Sequence, residues 1–251
     1  MFTKVGKYMN TEVNMKWIEA VSYDELSKLA ANLFKNQLKK KGNTVFGLAT
    51  GGTPKGFYAE LVKAYKAGEI SFAEAKAFNL DEYVGVNPAN KASYHYYMDN
   101  HLFNHIDIKR ANIFVPQGNS DDLASAAAHY EELIEQAGNI DIQLLGIGVN
   151  GHIGFNEPGT SFELSTHIVE LTSSTREANK IYFDSINDVP THAITMGIQT
   201  ILNTKKIILL IVGTSKQEAF EHLRSGRISD DFPASALHMH ADVTVIYTGV
   251  K

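Results

Sequence analysis

The 251-residue sequence contains no cysteine, which excludes a disulfide framework, a thiolate nucleophile and a thiolate-bound zinc. Nor does it hold an apolar run fit for a membrane. The longest, Ile207 to Val212 with its closing Gly213, falls far short of the roughly 20 residues that a spanning helix needs. No secretory leader is expected, because Lys4, Lys7 and Asn10 interrupt the stretch where an apolar h-region would sit. These absences predict a cytoplasmic protein. An excess of basic charge is missing as well. Lys plus Arg number 23 against 28 Asp plus Glu, a net charge of -5, so no whole-protein field draws nucleic acid or an anionic membrane. Any anionic partner must be held locally.

What remains is an ordinary globular composition, 44% hydrophobic and 20% charged, in a length that suits a large α/β domain. Residues 1–14 show no periodicity and read as an irregular extension or leader, and residues 15–251 read as a single domain. A strand is expected around Lys16 to Ala20. Ser22, followed three residues later by Glu25, then marks a helix start, and Leu26, Leu29, Ala30, Leu33, Phe34 and Leu38 fall on one helical face. Further strands are expected at Thr44 to Ala49, Lys76 to Leu80, Asn112 to Val115, Ile142 to Ile147, Thr166 to Leu171, Lys206 to Val212 and Asp242 to Tyr247. Helical patterns separate most of them. Such alternation predicts right-handed βαβ units on an open, mostly parallel twisted sheet with helices on both faces, a Rossmann-like three-layer sandwich.

The chemically interesting residues follow the strand ends. Thr50-Gly51-Gly52-Thr53-Pro54 leads from strand to helix, with Thr53 the expected N-cap and Pro54 the first helical residue. Free amides on a Gly-Gly turn at a helix N-terminus form an anion site, although the spacing and the missing Lys-Ser/Thr ending distinguish it from a Walker A loop. Asp81-Glu82-Tyr83 stands at the end of the next strand, before a loop. Its two acids suit a base or a metal ligand, or a cap for the helix that follows. His101 and His105 lie at i and i+4, but no carboxylate completes a metal motif, so a packed or solvated face is expected there.

The richest stretch is Gly146 to Thr160, GIGVNGHIGFNEPGT, directly behind the apolar run Ile142 to Ile147. Its five glycines and one proline forbid a regular helix while letting backbone approach a ligand. Asn150, His152 and Glu157 are carried on it, the last two as proton-transfer candidates. Arg176, in the first turn of a later helix, opposes the helix dipole and so calls for a partner such as an anion. Gly213-Thr214-Ser215-Lys216 forms a second glycine turn, with Lys216 expected in the first helical turn.

In open parallel sheets, ligands bind outside the carboxyl ends of the strands. All of these residues fall there. A single pocket is expected in which the turn amides, Arg176 and Lys216 hold a phosphate while Asp81, His152 and Glu157 face the remainder of the ligand. Gly146-x-Gly148-x-x-Gly151, with Glu170 about 20 residues on, matches a dinucleotide fingerprint in letters. That fingerprint needs a helix immediately after its third glycine, and Gly154, Pro158 and Gly159 block one.

TGGTP, NLDEYVG, GHIGFNEPGTSF, STREAN, MGIQTIL, GTSK and PASALH occur in this order. From about Met15 to the C-terminus the chain resembles the glucosamine-6-phosphate deaminase family of aldose-ketose isomerising enzymes. The resemblance implies conversion of glucosamine 6-phosphate and water to fructose 6-phosphate and ammonium, with no metal or organic cofactor. It implies a small sugar phosphate as partner, and leaves open whether the chain is a monomer or a homo-oligomer. By resemblance, phosphate binding falls to Gly51, Gly52 and Thr53, beside Thr50, with Arg176 and Lys216. C2 proton transfer falls to Asp81, and ring opening to His152 supported by Asn150 and Glu157. A 6-phosphogluconolactonase is the nearest rival, but it needs no Asp81 proton shuttle and its loop does not read FNEP. A sugar-phosphate-sensing regulator would need an attached helix-turn-helix, for which the residues before Met15 leave no room.

Two departures stand out. Regulated members of the family bind N-acetylglucosamine 6-phosphate through basic residues just after the FNEP loop. The matching positions here are His167, Val169 and Glu170, and an acid there repels phosphate, so no such activation is expected. Asn150 stands where some members carry Asp. An amide orients His152 but adds no charge to stabilise the imidazolium, so His152 is expected to titrate lower than in the Asp form. Asn150→Asp should therefore move the corresponding limb of the pH-rate profile to higher pH, and an unmoved limb would contradict this reading.

Overall fold

The computed structural model describes residues 15–183 and 185–251; the extension expected over residues 1–14 lies outside them. The chain opens with β1 (Met15–Glu19) and α1 (Tyr23–Lys40). Ser22 Oγ accepts the Glu25 N–H, while the Glu25 carboxylate reaches back to the Val21 N–H at 2.7 Å, one residue earlier than a capping box requires. β2 (Val45–Leu48), α2 (Lys55–Lys66), β3 (Lys76–Asn79), β4 (Asp81–Tyr83) and α3 (Tyr94–His101) follow. Next come β5 (Ile113–Phe114), α4 (Leu123–Gln136), β6 (Ile142–Gly146), β7 (His167–Glu170) and α5 (Ser173–Asn179). The last elements are β8 (His192–Thr195), α6 (Ile198–Leu202), β9 (Ile207–Val212), α7 (Gln217–Arg224) and β10 (Val243–Thr248). No helix among the described residues is long and apolar enough to cross a membrane.

Seven strands form one sheet in the order β1-β10-β9-β6-β2-β3-β5, every pairing parallel. β9 shows why it is buried on both faces. Ile207, Leu209 and Ile211 face a core built with α4, α6 and α7, while Ile208 and Leu210 face one built with α1, α2 and α3. A strand covered on both sides reads as a continuous apolar run rather than an alternating one. From β2 the chain proceeds outward through β3 to β5, then returns to lay β6 on the other side of β2. That reversal is the topological switch point, where parallel sheets place their ligand crevice.

Two sequence expectations need correcting. Asp81, Glu82 and Tyr83 are not simply the end of β3 before a loop; they form β4, the edge of a second sheet ordered β4-β8-β7 with antiparallel pairing. Asp81 pairs with Thr195, and Leu80 C=O accepts the Met196 N–H at 2.7 Å, so the acid sits at the corner where the two sheets join. Three residues are too few to show a period, and their partner strand lies far along the chain. The second correction concerns α2, where Pro54 rather than Thr53 is the N-cap and makes no side-chain capping bond of its own. The Tyr23 hydroxyl takes over, accepting the Gly56 N–H at 2.8 Å and donating to Thr53 C=O at 2.9 Å.

At the opposite edge of the sheet, Asp141 precedes β6 and is 4% exposed. Its carboxylate accepts hydrogen bonds from Lys41 at 2.5 Å, Lys205 at 2.7 Å and the Val45 N–H at 2.8 Å. Burial pushes this carboxyl upward, but the two lysines and the amide outweigh it and hold the group below the ordinary carboxylate range. A depressed folded-state pKa adds stability above the unfolded value, and that stability is lost as pH falls through the folded one. Asp141→Asn should therefore cost about 1–2 kcal/mol near pH 7, a modest value because both lysines are partly solvated. Urea unfolding should show the gap between the two proteins closing below pH 4 (about the free-carboxyl value).

Candidate active site

Three turns at the carboxyl edge and the start of β4 close around a cavity of about 420 Å³. Thr50, Gly51, Gly52 and Thr53 line it after β2, Asp81 after β3, Gly146 to Asn150 with His152 after β6, and Lys216 after β9. Lys216 belongs to a 3-10 turn over 214–216 and precedes α7 rather than lying in its first turn. A second cavity, about 460 Å³ between α3 and α4, includes Glu82 but none of the residues expected to act. The smaller cavity is the candidate site because it holds the strand-end groups.

The loop after β6 owes its shape to its glycines. Gly151 and Gly154 adopt φ of +85° and +58°, a region open to glycine at little cost. A Cβ on Gly148 would lie 2.2 Å from the His152 ring, so the imidazole lies across bare backbone there. No helix follows Gly151 before α5, which removes the dinucleotide fingerprint. Asn150 Nδ2 donates to Glu157 Oε2 at 2.7 Å, which turns its Oδ1 toward His152 Nδ1 at 2.8 Å. Oδ1 is an acceptor, so the imidazole proton sits on Nδ1 and Nε2 is left as a base. Glu157 Oε2 itself stands 3.7 Å from Nδ1, so the amide does not separate the ring from negative charge. Glu157 does not line the cavity; it braces Asn150 from behind and accepts the Thr175 hydroxyl at 2.6 Å.

Burial lowers the His152 imidazole below its ordinary value, against the Glu157 carboxylate and with the Lys216 ammonium. Burial also lowers Lys216. The two adjacent acids divide their roles. Glu82 accepts hydrogen bonds from the Ser93 hydroxyl and from the Tyr83, Tyr94 and His95 amides, all at 2.9–3.0 Å, and so caps α3. Asp81, 7% exposed, receives no such donors among the described residues. Its carboxyl is pushed up to about 8 by burial and by the Glu82 charge.

Arg176 is not brought to the cavity. Its guanidinium donates to the Ile186 and Val189 carbonyls, both at 3.0 Å, at the end of a 3-10 turn. The expectation of a first-turn position also needs correcting, because α5 is only seven residues long and Arg176 stands in its last turn, where a cation suits the dipole. His101 packs against Tyr97 with ring centres 4.4 Å apart and His105 bonds Asn100 C=O, and no group of three or more His, Asp or Glu side chains among the described residues is arranged to hold a metal. Sequence reasoning missed Thr175, Asn179, Tyr94 and Phe155, which also face the cavity. Thr175 adjoins Arg176 in the STREAN segment, and Tyr94 lies one residue after the cap Ser93, but neither carries a period or spacing that marks it.

The family model described as glucosamine-6-phosphate isomerases/6-phosphogluconolactonase matches residues 19–246, and the chain belongs to that family. It is 57% identical to the glucosamine-6-phosphate deaminase of Lysinibacillus sphaericus over 94% of this chain and 100% of that one. It is 53% identical to glucosamine-6-phosphate deaminase 1 of Bacillus subtilis, over 92% and 96%. Among solved structures, a monomeric glucosamine-6-phosphate deaminase superposes with a TM-score of 0.92 at 52% identity, covering 93% of this chain and 97% of that one. The 6-phosphogluconolactonase of Trypanosoma cruzi shares the fold at 18% identity, with a TM-score of 0.78 over 95% and 96%.

The Asp81 environment makes a direct test. Carbon-13 NMR of labelled aspartate should show one carboxyl titrating near pH 8, and Glu82→Gln should move that midpoint to lower pH by removing a like charge. A midpoint near the ordinary value of about 4 would mean that water reaches the carboxyl freely.

Proposed function

We propose that this chain, through one α/β domain over residues 15–251, converts glucosamine 6-phosphate and water to fructose 6-phosphate and ammonium. The observation that carries the reading is the meeting of Asp81, His152, Lys216 and the 50–53 turn in one cavity, in a chain whose 50–57% identical relatives bear that name. The lactonase alternative rests on fold likeness at 16–20% identity and is not favoured. We place the enzyme in the cytoplasm, acting without metal or organic cofactor.

Phosphate is held by the amides of Thr50, Gly51, Gly52 and Thr53 at the start of α2 and by the Lys216 ammonium. Arg176 completes the set by exchanging the Ile186 and Val189 carbonyls for phosphate oxygens. Anchoring the phosphate keeps the reacting carbons in register. His152 Nε2 takes the anomeric hydroxyl proton and returns a proton to the ring oxygen as the C1–O bond breaks, leaving an open-chain aldehyde. Its lowered pKa suits both halves of that exchange near neutral pH. The Asn150–Glu157 pair keeps the proton on Nδ1 and offsets the imidazolium charge while it lasts.

Asp81 then removes the C2 proton as a carboxylate and delivers a proton to C1. The C2 ammonium group supplies the opposite charge that draws Asp81 into its ionised form. One ammonium proton passes to O1 as the C1=C2 double bond forms, so protonation at C1 leaves a protonated imine at C2; water adds to that carbon, and the C–N bond breaks as the C2 carbonyl forms, releasing ammonium. His152 is the candidate to protonate the departing amine, since Glu157 lies behind Asn150 and outside the cavity lining.

Incubation with glucosamine 6-phosphate and a chelator should yield ammonium and fructose 6-phosphate in equal amounts. Asp81→Asn should lower kcat by about 10²–10⁴-fold and abolish exchange of the C2 hydrogen in heavy water. Retained exchange in that variant would remove Asp81 as the base.

A further inference from the structure

The underside of the 49–53 turn is held in an unusual way. Tyr58 of α2 donates its hydroxyl to Ala49 C=O at 2.5 Å, Tyr97 of α3 to Gly51 C=O at 2.6 Å, and Tyr23 of α1 to Thr53 C=O at 2.9 Å. Three helices on one face of the sheet thus each send one phenol to an alternate carbonyl of the same turn. The N–H groups of Thr50 and Gly52, which belong to the first two of these peptides, meet no acceptor among the described residues. All peptide bonds described are trans, and a trans peptide carries its N–H opposite its C=O. Pinning a carbonyl on the tyrosine side therefore aims the N–H at the cavity, which Thr50 and Gly52 line.

The lock matters most at Gly51. Its φ is +105°, and a Cβ there or on Gly52 would meet nothing within 4 Å. A peptide between two unhindered glycines turns over readily, and a flipped one presents its carbonyl dipole to an anion instead of its N–H. We propose that Tyr97, Tyr58 and Tyr23 are positioning residues that hold this turn in its anion-binding orientation without touching the substrate. The inference rests on the reading that the turn binds the phosphate. Burial pushes the Tyr58 hydroxyl well above the ordinary tyrosine range, so it remains a donor throughout the working pH.

Tyr97→Phe removes only the hydroxyl and keeps the ring against His101 and Tyr58. It should raise KM for glucosamine 6-phosphate and the inhibition constant of inorganic phosphate together, by about 3- to 10-fold, with kcat changed less than about twofold. Tyr23→Phe, at an exposed position, should raise both constants in parallel by about two- to threefold, and the double variant should exceed either one. Parallel rises support the lock. Unchanged constants in both single variants, or a fall in kcat with KM unmoved, overturn it while phosphate still inhibits the unaltered protein. If phosphate does not inhibit the unaltered protein, the phosphate reading of the turn falls and the lock falls with it.

Discussion

Parallel pairing forces every strand of the large sheet to end at the same edge, and each crossover must then begin there. The 50–53 turn, the 146–160 loop and the 214–216 turn are neighbours in space because β2, β6 and β9 are neighbours in the sheet. No long-range contact has to recruit them. The reversal of strand order between β2 and β6 opens the crevice, with amides for an anion on the β2 side and, on the β6 and β9 side, an imidazole for proton exchange and a lysine that faces the same anion site. The small sheet adds the missing carboxylate from a third direction, at a corner that solvent scarcely reaches.

The contrast between Asp81 and Glu82 shows how backbone geometry assigns chemistry. Successive residues of a strand point to opposite faces, so one acid turns into the donors at the start of α3 and the other into the cavity. Glu82 is fully used by a hydroxyl and three amides. Asp81 is left with burial and a like-charged neighbour, the combination that favours its protonated form until a cation arrives. The pair is a division of labour between fold and reaction.

Legibility in the sequence followed the range of the interactions involved. β9 was readable because burial on both faces leaves an uninterrupted apolar run, and α1 because Ser22 and six periodic residues agree. The strand-end location of Asp81, His152 and Lys216 followed from the alternation of strands with helices. β4 was hidden, since three residues show no period and their partner β8 lies more than a hundred positions away. The Tyr23 cap on α2 was hidden for the same reason, as it crosses from another helix, and it displaced the local N-cap expected of Thr53. Arg176 was read as opposing the dipole of α5, but that helix is so short that it stands in the last turn, and the carbonyls of Ile186 and Val189 became visible only once the following turn was placed. Thr175 lines the cavity and braces Glu157, a contact that no local pattern encodes.

β6 joins two environments that make opposite demands. Before its first residue stands Asp141, a carboxylate satisfied by two lysines and an amide; beyond its last begins the loop that carries His152. The five residues of this strand therefore separate a region where charge strengthens the fold from one where charge is held at a disadvantage. Evolution or engineering can alter the stability of this protein at one rim of the sheet while the reactive rim keeps its geometry. A drift in thermal tolerance between relatives need leave no trace in their chemistry.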